Sequence, residues 1–512
     1  MPASLLAALL TAAATVAPLG AAPPASSLAR VSPSAAGGLA NVTPASSSLA
    51  SAATALDGAT SSLGSTTSSP GSTATPLGGA TRSLGGATSP LGSATAHLRD
   101  ATAFSPGGIA AAAAGVPAIV RQTLAPNDGW ASAGTGTTGG AAADAGHVYL
   151  VRNRTDLLAA LDNGSTVPKI VLVSGRIDMM TGSCADYAAP GYDLDAFLAA
   201  YDPAVWGRTT RPAGPLEDAR VASARLQGAQ IRIPVGSNTT LIGVNGGRID
   251  HGSVTLTNVS NVIVRNLELT DAADCFPAWD PTDGTTGNWN SLYDLVSLSG
   301  ATNVWIDHNT LSDGNNHDSD QPLHFDRPYQ VHDGASDIIR GSDLVTVSWN
   351  NYYDHDKTML IGSTDTPGVD VGKLRVTVHH NKFGNVLQRA PRVRFGQVDV
   401  FDNLYVATDA DYSYSLGVGV ESSICAQNNF FQLSEDLAPA GVLKDWKGTR
   451  ITTIGNLVRS GSRPPRPVDL VTEYNATHDP DFTPDAGWVP TLRRHVDPAA
   501  AVPALVTTAG RH

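Results

Sequence analysis

Short β-rich runs that end in asparagine recur along residues 240–460: LIGVN (241–245), VIVRN (262–266), VWIDHN (304–309), VTVSWN (345–350), VTVHHN (376–381), VDVFDN (398–403), ICAQNN (424–429) and ITTIGN (451–456). β-Branched residues alternate within the runs, the pattern of a strand with one buried face. The closing Asn marks a bend, since Asn tolerates the left-handed backbone and bonds its own main chain there. Successive closing Asn residues lie 21, 43, 41, 31, 22, 26 and 27 positions apart. A unit of roughly 20–50 residues signals a stacked repeat, and short strand repeats coil into a parallel β-helix. A propeller would need steadier blades of about 40 residues with four strands each. The chain therefore reads as all-β and solenoidal. The shortest steps approximate one bare coil, and the steps of 43 and 41 carry loops.

The repeat occupies only part of the 512 residues. Residues 1–22, MPASLLAALLTAAATVAPLGAA, combine a short apolar run with small residues and suit a secretory signal peptide, although the first basic residue is Arg30. Residues 23–125 are dominated by Ala, Ser, Thr, Gly and Pro, and the whole stretch 1–125 holds six charged side chains. Leucines at 49, 56, 63, 77, 84, 91 and 98 recur every seven residues, with Pro70 in the missing slot. A coiled coil would need a second apolar position and good helix formers. Gly, Ser and Thr fill these units instead, so the segment reads as a flexible linker. That leaves 126–495 as the β-helix domain and 496–512 as a tail. A net charge of −13 argues against a nucleic-acid partner, and no apolar run after the leader is long enough to span a membrane. Three cysteines, Cys184, Cys275 and Cys425, permit one disulfide at most. A monomer is expected.

Register places the chemistry. Counted back from the closing Asn of each coil, Asp294 lies at −15, Asp333 and Asp337 at −17 and −13, and Arg389 at −14. Counted forward, Lys357 is 7 after Asn350 and Arg389 is 8 after Asn381. Stacked coils lie about 4.8 Å apart, so these residues line one groove, carboxylates towards one end and cations towards the other. Three aspartates without His or Cys companions are hard-oxygen ligands that select Ca²⁺. They fall short of the six to eight oxygens that Ca²⁺ takes, so water or an anionic ligand completes the shell. In RAPRVR (389–394), Arg392 and Arg394 share one face if the segment is a strand. Arg forks grip carboxylates, so a Ca²⁺ site beside a cationic row suits a polymer with a carboxylate on every unit, polyuronate foremost.

The segments VWIDHN (304–309), VHDGASD (331–337), SWNNYYDHDKTMLIGSTD (348–365) and HHNKFGNVLQRAPRVRFGQVDVFDN (379–403) resemble the pectate lyases of polysaccharide lyase family 1. So do NDGW (127–130), TGTTGG (135–140), YDLDAFLAAYDPAVWG (192–207) and DCFPAWDPTDGTTGNWNSLYD (274–294), so the likeness covers nearly all of 126–440. It is strongest to the extracellular enzymes of bacilli. The resemblance implies a right-handed parallel β-helix whose long loops wall a substrate groove. It implies that Asp294, Asp333 and Asp337 are the primary Ca²⁺ ligands, with Asp280 and Asp283 holding further Ca²⁺. Lys357 and Arg394 would hold a substrate carboxylate, with Arg392 beside them, and Arg389 would be the catalytic base. Two places depart from the family pattern: Asn309 stands where Cys is frequent, and Asp399 and Asp402 where His and Asn are usual.

The implied reaction is β-elimination on α-1,4-polygalacturonate, secreted from the cell and dependent on Ca²⁺. Free Arg stays protonated below about pH 12, so an Arg base requires that nearby cations and Ca²⁺ depress its pKa; an alkaline optimum would follow. Three other readings remain at this stage. A β-helix polygalacturonase would hydrolyse with paired carboxylates such as Asp333 and Asp337, leaving RAPRVR and DHDK idle. A pectin lyase would act on esterified polymer and have no use for three Ca²⁺-binding aspartates. A non-catalytic glycan-binding solenoid would not need Lys357 and Arg389 together.

Overall fold

The computed structural model describes residues 118–510. The leader assigned to 1–22 and most of the linker assigned to 23–125 lie outside them. Strands stack in parallel into three ladders, the faces of a β-helix. One ladder runs through Thr239–Asp250, Ser260–Arg265, Thr302–Asp307, Asp343–Ser348, Val376–His379, Gln397–Phe401, Ser423–Gln427 and Ile451–Ile454. The second follows each Asn corner and includes Thr310–Ser312, Asn351–Lys357, Lys382–Gln388, Leu404–Ala407 and Phe430–Leu433. The third includes Ser253–Thr257, Val296–Ser299, Ser336–Ile339, Leu360–Ile361, Arg392–Val393 and Leu416–Gly419.

Like residues stack on like inside. Val262, Val304, Val345, Val376, Val398, Ile424 and Ile451 are in register down the first ladder and fully buried. The second ladder stacks the rings of Tyr352, Phe383, Tyr405 and Phe431 at 5.1, 4.9 and 4.7 Å between centroids. The third aligns Leu256, Leu298, Ile338, Ile361, Val393 and Val418. Period-2 alternation buries one face of every strand, and stacking makes the buried faces continuous. Helices close both ends: Arg154–Leu161 packs Leu157 and Leu161 on the first strands, and Leu470–Asn475 packs Leu470 and Tyr474 on the last.

The repeated asparagines serve a different purpose from the bend the sequence suggests. Asn309, Asn350, Asn381, Asn403, Asn429 and Asn456 are fully buried, and the Nδ2 of all but the last donates to the Oδ1 of the next at 3.0–3.2 Å. The left-handed residue is the one before: His308, Trp349, His380, Asp402 and Asn428 have φ of 52–56°. Only the first closing residues, Asn245 and Asn266, adopt it themselves. The corner turns the Asn side chain inward, where its amide must pair with a protein partner.

The long steps hold the expected excursions. Residues 271–295 carry the hairpin Ala278–Asp280/Asn288–Asn290, and 313–335 carry Leu323–His324/Arg327–Pro328. Trp279, Trp289, Tyr329 and Phe325 join them to Phe197 and Tyr201 of the helix Leu194–Tyr201. A disulfide, Cys184–Cys275, ties the loop after the strand Lys169–Asp178 to the first excursion, while Cys425 is free and buried. Both expected boundaries move outward. Val120 packs with Val148, Ile170 and Ile242, and Leu124 with Ile263 and Trp305, so ordered packing starts before 126. In the tail, Val502 and Val506 pack on Leu404 and Phe430. Isolated apolar residues give no periodic signal; the solenoid's outer face gives them a place to bury.

Candidate active site

The turns leading from the second ladder into the third gather nearly all the residues that register singled out. The pairing of Val296 with Ser336 sets Asp294 level with Gly334, so Asp333 lies one position before it and Asp337 three after. Asp294 and Asp337 are buried. Asp294 Oδ1 accepts from the Gly334 amide at 2.9 Å, and Asp337 Oδ1 from the Leu360 amide at 2.9 Å. A Cβ on Gly334 would lie 2.2 Å from Asp337 Oδ1 and 3.0 Å from Asp294 Oδ1, so only glycine lets both carboxylates converge. Asp333 turns towards the cations: its Oδ1 is 3.4 Å from Lys357 Nζ.

The next coil contributes the positive side. Lys357 ends the strand Asn351–Lys357 and pairs with Gln388, which places Arg389 one step further along. Arg389 is half-buried with a left-handed backbone (φ 59°), and its Nε meets no hydrogen-bond acceptor. Arg392 begins the short strand Arg392–Val393, its guanidinium carbon 3.7 Å from the centre of the Trp446 ring. Arg394 is buried; its Nε donates to Asp365 at 2.7 Å and its Nη1 to the Gly362 carbonyl at 2.8 Å. Lys447 Nζ meets the other Asp365 oxygen at 2.6 Å.

Electrostatics separate these groups. Burial, and then the charge of Asp333, push Asp294 up to about 7; burial, and then Asp294 and Asp333, push Asp337 up as well. Buried carboxylates that repel one another bind protons when no cation is present. Arg389 departs from the expected depression: burial lowers it, but Tyr414, Asp333, Asp337 and Asp356 outweigh burial and hold it above the ordinary arginine value. The depressed arginine is Arg392, brought to about 9 by burial and by the positive neighbours Arg394 and Arg389.

Asp280 and Asp283 are engaged locally. Asp280 pairs with Arg211 at 2.7 Å and accepts from Thr282, and Asp283 accepts from Asn288. Several supporting residues carried no assigned role in the sequence. His355 is buried and bonds Asp313 through Nδ1; its Nε2 lies 3.0 Å from the Asp333 carbonyl, steadying that turn. Asp356 accepts from Gln330 at 2.7 Å and Gln388 at 2.9 Å. His355, Asp356 and Asp365 all fall within SWNNYYDHDKTMLIGSTD, so the motif was visible while the pairings were not.

The sequence profile of the family described as pectate lyase matches residues 107–191 and 215–478. The chain belongs to the pectate lyase family. A pectate lyase of Bacillus subtilis is 40% identical over 77% of this chain and 94% of its own length. Pectate lyase D of Dickeya chrysanthemi is 35% identical over 70% of this chain and 84% of its own. Among solved structures, a thermostable pectate lyase superposes with a TM-score of 0.75 at 43% identity, covering 77% of this chain and 99% of the other. A pectate lyase bound to a hexasaccharide gives 0.72 at 39% identity over the same shares. The fold of this pectate lyase is thus the right-handed parallel β-helix, and the chain is an enzyme of the polysaccharide lyase class. Among the described residues, no helix is long and apolar enough to cross a membrane.

Proposed function

We propose that this pectate lyase is secreted and cleaves polygalacturonate by Ca²⁺-dependent β-elimination, with Asp294, Asp333 and Asp337 holding the cation. The observation that carries this reading is the convergence of two buried carboxylates over Gly334, with Asp333 next to them. Hard oxygens that raise one another's pKa are a donor set suited to Ca²⁺. Bound there, Ca²⁺ would supply Lewis-acid polarisation of the substrate carboxylate, which acidifies the C5 proton. Lys357, 3.4 Å from Asp333, holds that carboxylate at the boundary between the acidic and basic halves of the site. Arg389 takes the C5 proton; the C4–O bond then breaks, leaving a C4=C5 double bond, and the departing sugar oxygen takes up a proton, so no water is consumed. The proton of Arg389 must first be lost, and Asp333 and Asp337 are two of the groups that retain it. Neutralising those two carboxylates removes part of what holds Arg389 up, beside Tyr414 and Asp356, so base strength is coupled to cation binding. Arg394 is already paired with Asp365 and orients the groove wall, while Arg392 on Trp446 offers its fork to a further uronate. Asp280 is not counted as a ligand, since Arg211 occupies it. The leader-like residues 1–22 and the Cys184–Cys275 bridge support export, because disulfides persist in oxidising compartments.

The test is ultraviolet absorbance during incubation with de-esterified polygalacturonate at alkaline pH, with Ca²⁺ and then with a chelator. Absorbance should rise and the chelator should stop it. Reducing ends without absorbance would mean hydrolysis and overturn the mechanism. The Gly334→Ala variant should need at least about tenfold more Ca²⁺ for half-maximal rate, because displacing a group that supports metal ligands costs about 10–100-fold in affinity. An unchanged Ca²⁺ requirement would place the cation elsewhere.

A further inference from the structure

We propose that His380, Asp402 and Asp497 form a second metal site, for a zinc-class cation, that fastens the C-terminal segment to the outside of the β-helix. It lies at the Asn corner between the first and second ladders, whereas the carboxylates of the candidate active site lie between the second and third. Among the described residues, these three form the one group of three or more His, Cys or carboxylate side chains whose potential ligand atoms lie within 4.8 Å of one another.

The fold brings them together in a definite way. His380 and Asp402 occupy the same left-handed position (φ 54° and 55°) in consecutive coils, each just before a stacked Asn. Asp497 arrives from the C-terminal segment and is clamped by its main chain. Its amide donates to Asp402 Oδ2 at 2.7 Å, and its carbonyl accepts from Asn428 Nδ2 at 2.8 Å. The carboxylate of Asp497 then faces the imidazole, with Oδ2 at 3.1 Å from His380 Nε2. Asp402 Oδ2 is 3.7 Å from the same nitrogen. Zinc bonds of about 2.0–2.1 Å in a tetrahedron set ligand atoms about 3.3 Å apart, and the two observed separations bracket that edge.

One observation points to a missing cation. Asp402 is fully buried, yet its Oδ1 has no hydrogen-bond partner. A buried carboxylate oxygen is expected to be paired or to coordinate a metal. The Nδ1 of His380 lies 2.9 Å from His379 Nδ1, which lets one ring donate to the other. With His380 as the donor, its Nε2 is free to bind a cation beside Asp497 and Asp402, and a metal-bound imidazole commonly donates its other N–H in this way. The ring is also held by stacking on Trp349, 4.4 Å between centroids, and His495 Nε2 meets Asp497 Oδ1 at 3.0 Å. Imidazole with two carboxylates suits zinc better than Ca²⁺, and the partly exposed Asp497 side leaves room for water as a fourth ligand.

The test uses the full chain, stripped with chelator, returned to excess Ca²⁺ and titrated with Zn²⁺ alone by calorimetry. Wild type should bind one equivalent that Asp497→Asn and His380→Gln lose, weakening it by more than the about 10–100-fold that loss of a supporting contact costs. Zn²⁺ should raise the melting temperature of wild type and leave that of Asp497→Asn unchanged. Co²⁺ in its place should give the intense visible bands of four-coordinate cobalt. Lyase activity with Ca²⁺ should match wild type in Asp497→Asn, showing that the variant is folded. No saturable Zn²⁺ binding, or binding that both substitutions leave intact, would overturn the proposal and leave the cluster a hydrogen-bonded triad.

Discussion

Replacing Arg389 with alanine should lower kcat on polygalacturonate by about 10²–10⁴-fold, the range that a positioned general base contributes. The same substitution should leave the Ca²⁺ concentration for half-maximal rate unchanged or reduced. Arg389 places positive charge near Asp333 and Asp337, and removing it strengthens the field that those carboxylates present to a cation. This split separates Arg389 from Gly334, whose substitution should act on cation affinity first. Steady-state rates at saturating Ca²⁺ would decide the matter, and a kcat within about tenfold of wild type would rule out Arg389 as the base, since even the low end of the range is larger. Arg392 would then take its place, being the arginine that burial and neighbouring cations already bring down to about 9.

Replacing Asn381 with leucine should lower stability by about 3–6 kcal/mol, since each buried polar group left unpaired costs about 1–3 kcal/mol. The Asn381 Oδ1 atom accepts from both the amide and the Nδ2 of Asn350, at 2.9 and 3.0 Å. Its own Nδ2 donates to the carbonyls of Val347 and His379 and to Asn403 Oδ1, each at 3.0 Å. Leucine matches the volume and returns none of these bonds, and no water reaches a site buried on every side. Domains are stable by only about 5–15 kcal/mol, so the loss should appear as a large fall in the urea midpoint. Because the ladder joins consecutive coils, the loss should be greater in its middle, at Asn381, than at its last member, Asn456. A midpoint within experimental error of wild type would show that the coils are held by their apolar stacks alone.

The sequence carried the β-helix in the spacing of its closing asparagines, and the long steps correctly marked two excursions. It also singled out Asp294, Asp333, Asp337, Lys357 and Arg389, which the stacked coils bring into neighbouring turns. From Asn309 onward it misplaced the left-handed residue at the corners, because a repeated Asn suits a bend and a buried amide ladder equally well until side-chain direction is known. It did not pair Cys184 with Cys275, 91 residues apart, or show that Val120, Val502 and Val506 would be buried.

Local pattern therefore determined the repeat, its strand faces and where the corners fall, since alternation and turn chemistry act over a few positions. Only the tertiary structure decided how the charges are tuned. Whether an arginine's pKa is raised or lowered depends on neighbours brought from other coils: Tyr414 and then carboxylates hold Arg389 up, while burial and its fellow arginines bring Arg392 down. The same holds where Asp497 meets His380 and Asp402 across about a hundred residues of chain, because electrostatics and coordination act through space and no sequence period records them.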